Sequence, residues 1–242
     1  MSHNASVTVA AVILAASTDS ALADVEGLPR VRRLADLAWS GGALPIVVVA
    51  DDRDGAVAAA LAGAPVILAE PAPAGRGPAA QMARGIEVAA ASVQETDGAI
   101  LWPARIVWAG PETVTSLIEA HGLRRTALIS PAYRGQRGWP VLVPRSAVDG
   151  LRSVAADRTP DQVLADLRAG GLAEVVVDLG DPGTVLDASV SRLDLPRYEG
   201  PSGPVGGLAT EWGAGVADDP EDMPPAAPAI VPWPSSTSED VR

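Results

Sequence analysis

Apolar residues run along the first 198 positions in two alternating rhythms. Residues 7–14 are an almost unbroken apolar run, the pattern of a strand covered on both faces. Over residues 28–40 the rhythm changes. Leu34, Leu37 and Ala38 are spaced by three and four with Arg32, Arg33 and Asp36 between them, and Gly41-Gly42 follows, which predicts a helix with a glycine stop. The alternation continues with strands over 45–50, 65–68 and 99–102 and helices over 54–62, 79–91 and 111–120. A Pro/Gly loop over 71–78 separates two of these elements, and Pro111 sits where a first helical turn accepts it. Further strands are predicted over 126–130, 141–143 and 175–177. Between the last two lies a helix with Thr159 as its N-cap, Pro160 next and Gly170 at its end. Strands separated by single helices predict an α/β domain of three layers. Its sheet is mostly parallel, and ligands are expected at the carboxyl ends of the strands.

The pattern stops near Tyr198. Residues 199–242 hold eight Pro, eight acidic residues and one Arg. Proline removes donors and fixes φ, so such a segment builds neither ladder nor helix interior. The expected organisation is an α/β domain over 1–198 and a disordered acidic tail over 199–242. Two readings of the tail stand side by side. It is a solvated acidic segment, or it is a tethered docking peptide in which Trp212 and the Ile230-Val231-Pro232-Trp233 stretch are anchors for a protein partner.

Composition narrows the chemistry. The net charge is −12 and every basic residue is Arg, which argues against a nucleic acid or an anionic membrane as partner. With no Cys, thiol nucleophiles and cysteine metal sites are excluded. His3 and His121 are too far apart for a local metal motif. The apolar run over 7–16 is too short for a membrane span and lacks a basic leader, so a cytoplasmic protein is expected. No Ser–His–Asp set, catalytic carboxylate pair or HExxH helix is visible. His121 is expected in the last turn of its helix, where an imidazolium complements the macrodipole.

The stretch Leu14-Ala15-Ala16-Ser17 resembles the opening of the MobA-like nucleotidyltransferases, which include the molybdenum-cofactor cytidylyl- and guanylyltransferases. Further likeness follows at Gly110-Pro111-Glu112-Thr113-Val114, at Tyr133-Arg134-Gly135-Gln136-Arg137-Gly138-Trp139-Pro140-Val141 and at Asp187-Ala188-Ser189-Val190. The resemblance implies the nucleotide-diphospho-sugar transferase (GT-A) fold. It also implies a nucleotide loop of pattern L-A-A-G-x-x-x-R-x-G-x-x-K at the end of the first strand. Ala15 and Ala16 match that loop, whereas Ser17, Ala21, Ala23 and Glu26 replace its Gly, Arg, Gly and Lys when laid without gaps. Counted back from Pro111, the family's Mg²⁺-binding Asp falls on Arg105. The later pair of Asp becomes Asp187 and Ser189, and a His or Asn becomes Trp139.

These exchanges act against a triphosphate. A glycine loop lets backbone N–H groups approach phosphates, and side chains at Ser17 and Ala23 restrict that approach. A carboxylate at Glu26 in place of Lys opposes the ligand, one unit pair at 4 Å being worth about 4 kcal/mol near a surface. Arg105 lies between Trp102 and Trp108 in sequence, a setting for a cation–π-braced anion site or for a rim ion pair. Trp139 either plugs the pocket or stacks on a ligand. The resulting expectation is a family member that has lost catalysis, with no catalytic residue, no metal and no cofactor, acting on a protein partner. The alternative is an active enzyme that uses Mg²⁺ to move a nucleoside monophosphate from CTP or GTP onto a phosphorylated small molecule such as molybdopterin.

Overall fold

The computed structural model describes residues 8–201. β1 (Thr8–Leu14) is buried along its centre, as its sequence requires. It lies between two parallel neighbours, β4 (Ile46–Val49) and β6 (Thr96–Pro103), with Ile13 opposite Val48 on one side and Trp102 on the other. β5 (Val66–Ala69) extends the sheet beyond β4.

On the other side of β6 the sheet turns mixed. β7 (Leu128–Tyr133) and β9 (Val141–Pro144) are joined through a tight turn at Arg134-Gly135 and the two-residue strand β8 (Gln136–Arg137). A connection this short cannot cross the sheet, so β9 returns antiparallel between β6 and β7. β10 (Glu174–Asp178) closes the far edge parallel to β7. The order β10-β7-β9-β6-β1-β4-β5 reverses direction at β1 and β6, where a doubly wound sheet opens its ligand crevice.

Helices cover both faces. α2 (Arg30–Ser40) buries Val31, Leu34, Ala35 and Ala38, the stripe set by its sequence spacing, and packs on α5 (Pro111–Leu123). The opposite face carries α4 (Gly77–Ser92), α6 (Val148–Ser153) and α7 (Pro160–Ala169). A Cβ on Gly85 would stand 2.1 Å from Val12 Cγ1, so the glycine sets how closely α4 approaches β1. α7 starts with a complete capping box between Thr159 and Gln162. The small helices α1 (Thr18–Leu22) and α3 (Ala56–Ala60) follow β1 and β4. Between α1 and α2 a hairpin of two-residue strands, β2 (Asp24–Val25) and β3 (Leu28–Pro29), turns through Glu26 at φ 56° and Gly27 at φ 85°. No helix among the described residues is long and apolar enough to cross a membrane.

Candidate functional site

At the carboxyl edge of the sheet, β1 ends in Ala15, Ala16 and Ser17, where the sequence places a nucleotide loop. Ala15 N donates to Val49 O at 3.1 Å, and Ala104 N to Leu14 O at 2.9 Å, which draws the segment after β6 across the end of β1. Ser17 is extended, and its hydroxyl accepts Ser20 N at 3.1 Å, so it caps α1. Beyond that point residues 18–22 are helical, and Glu26 stands in the β2–β3 turn. Arg33 Nη1 at 3.2 Å and Arg192 Nη1 at 2.8 Å both end on its carboxylate. The expected repulsion from Glu26 is thus neutralised by two guanidiniums.

The residues taken for the family's metal positions do converge. Arg105 Nη1 lies 4.0 Å from Asp187 Oδ2, and Ala188 N donates to Arg105 O at 2.9 Å. Ser189, at the second Asp position, donates its hydroxyl at 2.6 Å and its backbone N–H at 3.0 Å to Asp187 Oδ1. These two bonds from Ser189 hold the Asp187 carboxyl below its ordinary value, and Arg105 and then Arg30 add to the effect. One carboxylate therefore remains, and the two exchanged side chains both face it as positive or hydrogen-bond-donating groups. Among the described residues no three His, Asp or Glu side chains gather where an ion could be shared. This donor set does not fit Mg²⁺, a hard cation that needs oxygen ligands in octahedral array.

The two tryptophans do not brace Arg105. Trp102 is fully buried, with its indole N–H on Ile106 O at 2.8 Å. It is Arg33 that lies over the Trp108 ring, 5.4 Å from its centroid. The Trp108 N–H is shared between Asp187 O and Val190 O at 3.1 and 3.0 Å, which pins the stretch carrying Asp187. That stretch begins at Asp181, a buried carboxylate that accepts Gly110 N and Thr113 Oγ1 at the start of α5 and Gly183 N in its own turn. It passes Arg105, reaches the β2–β3 turn through Arg192, and comes back where Glu199 N meets Gly180 O at 2.9 Å. Leu193, near its far point, is 94% exposed. Sequence reasoning missed Arg30, Arg33 and Arg192, because nothing local in the chain links the head of a helix to a turn 160 residues later.

Trp139 N donates to Thr184 O, in the stretch that leads to Asp187, at 2.8 Å, while its side chain turns to α7. It is only 4% exposed, and its indole N–H donates to Asp161 Oδ1 of α7 at 2.8 Å. With Ser130, Arg137, Val141 and Arg168 it lines a separate cavity of about 200 Å³. Arg137 and Arg168 end on Glu174 there. Trp139 is thus a wall of that cavity. A larger groove of about 670 Å³, crossed by the Arg158–Asp166 ion pair, lies between α6 and α7 and also excludes the Arg105 edge.

His121 stands in the last turn of α5, as expected. Burial lowers its pKa below the ordinary 6.5, against the opposing charge and hydrogen bond of Asp97, which works against an imidazolium there. Its Nε2 lies 3.2 Å from Asp97 Oδ2. Trp212 and Trp233 lie outside the described residues.

The model of the MobA-like NTP transferase domain matches residues 11–171. No curated protein matches the sequence. Among solved structures, the Rv0371c protein of Mycobacterium tuberculosis H37Rv, in complex with manganese, superposes with a TM-score of 0.54 at 22% identity, covering 72% of this chain and 89% of its own. A nucleotidyl transferase from Methanothermobacter thermautotrophicus gives 0.54 at 17% identity, covering 69% and 87%. The 4-diphosphocytidyl-2C-methyl-D-erythritol synthase of Anaerococcus prevotii gives 0.60 at 12% identity, covering 76% and 94%. These three share the fold.

Proposed function

Because the chain belongs to the MobA-like NTP transferase family, we propose that it is a member in which nucleotidyl transfer has lapsed and which acts by binding. The observation that carries this reading is the Arg105–Asp187 pair at 4.0 Å. Transfer of a nucleotidyl group rests on neutralising and aligning phosphates, largely by a divalent ion. An ion beside Asp187 would meet the Arg105 guanidinium, at a cost of about 4 kcal/mol per unit charge at such a distance near the surface. The Asp187 carboxylate it would meet already accepts two hydrogen bonds from Ser189.

Thermal unfolding with CTP, GTP and ATP, each with Mg²⁺ and with EDTA, tests the reading. Nucleotide at 100 times Kd adds about 2.7 kcal/mol of stability. No stabilisation that requires Mg²⁺ is expected. A Mg²⁺-dependent rise with CTP or GTP would overturn the proposal and make the chain a nucleoside monophosphate transferase acting on a phosphorylated small molecule.

The binding function is assigned to a protein partner that takes up Trp212 and the Ile230–Trp233 stretch. Apolar anchors in a polar, Pro-rich context support it. Partner capture by the full chain is compared with capture by a chain ending at Pro201, and equal capture by the two would remove the C-terminal segment from the function.

A further inference from the structure

The cavity beside Trp139 carries more hydrogen-bonding capacity than the fold uses. Next to it Glu174 of β10 accepts three side chains, Ser130 Oγ at 2.7 Å, Arg168 Nη1 at 2.8 Å and Arg137 Nε at 3.1 Å. One guanidinium would balance that carboxylate, yet two converge on it. Each guanidinium has five N–H donors and no acceptor, and the remaining donors of Arg137 and Arg168 make no hydrogen bond among the described residues. Both arginines line the cavity, and so does a second carboxylate, Asp161. Its Oδ1 accepts the Trp139 indole N–H at 2.8 Å, and its Oδ2 has no partner among the described residues. Asp161, Leu164 and Arg168 recur at spacings of three and four along α7, so one helix face supplies both charges with an apolar side chain between them. Val141 and Trp139 add further apolar wall. Two guanidiniums thus stand against two carboxylates, and the set sums to zero charge.

We infer that this cavity is a binding site for a free α-amino acid with a small aliphatic side chain. The ligand carboxylate meets the unused N–H groups of Arg137 and Arg168, which suit two oxygens side by side. The ligand ammonium meets Asp161 Oδ2, and the aliphatic part lies against Leu164, Val141 and Trp139. A zwitterion brings opposite charges and no net one, so the balanced set takes it without leaving an enclosed charge unpaired. A phosphate or a simple amine would each add net charge. At about 200 Å³ the cavity is smaller than the roughly 300–1,000 Å³ of sites for drug-sized ligands, which fits so small a molecule. The site goes beyond the lapsed-transfer reading and does not depend on it, since neither Arg105 nor Asp187 lines the cavity.

The test is isothermal titration of the full chain with L-valine and L-alanine. Saturable binding of at least one is expected. For L-valine, 3-methylbutanoate lacks the ammonium and isobutylamine lacks the carboxylate, and each binds at least about tenfold more weakly, the scale of one lost charged hydrogen bond. R137Q and D161N each weaken amino-acid binding by a similar factor, while D161N leaves 3-methylbutanoate unchanged. R145Q, in a turn whose guanidinium meets Gln94 O, has no effect. D161N keeps an oxygen for the Trp139 N–H, and R137Q leaves Glu174 with Ser130 and Arg168; should either variant not fold, the other decides. Binding of neither amino acid overturns the inference. So does 3-methylbutanoate binding as tightly as L-valine, which would make this a carboxylate site, and so does amino-acid binding undiminished in R137Q and D161N. Inorganic phosphate bound more tightly than either amino acid and lost in R137Q would assign the cavity to anions and overturn it too.

Discussion

Where the family resemblance expects two carboxylates, the chain sets the Arg105 guanidinium 4.0 Å from Asp187 and the Ser189 hydroxyl in hydrogen-bond contact with it. The exchange should be reversible. R105D/S189D rebuilds three carboxylates, costing about 1 kcal/mol in EDTA, a usual size for one disturbed surface site. With Mn²⁺ at 100 times its Kd about 2.7 kcal/mol of stability returns. Equal thermal midpoints with Mn²⁺ and EDTA would show that these positions do not face a common point. His121 gives a second residue-level expectation. Burial lowers its folded pKa, so below about 6.5 the unfolded chain takes up a proton that the folded chain refuses. Its stability contribution is whole above that pH and is lost as pH falls towards the folded value, at up to about 1.4 kcal/mol per unit. Urea midpoints should drop between pH 7.5 and 5.5 in the wild type and flatten in H121Q; a flat wild-type profile would contradict the burial argument.

Elements meet at the site because a few polar groups join them. Asp181 is the main joint, tying the start of α5 to the turn that leads to Asp187. D181A leaves Gly110 N, Thr113 Oγ1 and Gly183 N without their acceptor. Chemical denaturation should show a loss on the order of 3 kcal/mol, with amide exchange accelerated over residues 181–190 first. A loss under 1 kcal/mol would mean that water replaces the carboxylate. The strands over β1, β4 and β6 were legible in the sequence, since burial on both faces leaves continuous apolar runs, and the α2 stripe was legible through its spacing. The β2–β3 hairpin was not, because a two-residue strand has no period and its turn reads Glu-Gly without flanking apolar alternation. The pairing of Arg105 with Asp187 was legible only through the family resemblance, because the spacing between Arg105 and Pro111 carries no physical signal by itself.

At the scale of the whole molecule, the aliphatic core explains how a chain without Phe folds. Burial of Val, Ile, Leu and Ala on both faces of one sheet, with Trp102 and Trp139 as the large exceptions, forms a continuous cluster. Among the described residues the buried hydrophobic side chains end at Leu179, yet Glu199 still pairs with Gly180 O and with Arg134. A chain ending at Pro201 should therefore unfold at the same denaturant concentration as the full chain, within about 0.5 kcal/mol, the usual scale for changes away from packed contacts. A marked drop would assign a stabilising contact to the removed residues. The segment that leaves Gly180 and returns to it at Glu199 has a practical consequence. Leu193 stands almost bare beside the Arg192–Glu26 contact, and the chain has no sulfhydryl anywhere. L193C would carry the molecule's sole thiol, so a dye attached there labels one known point on the segment that carries Asp187 without any further engineering.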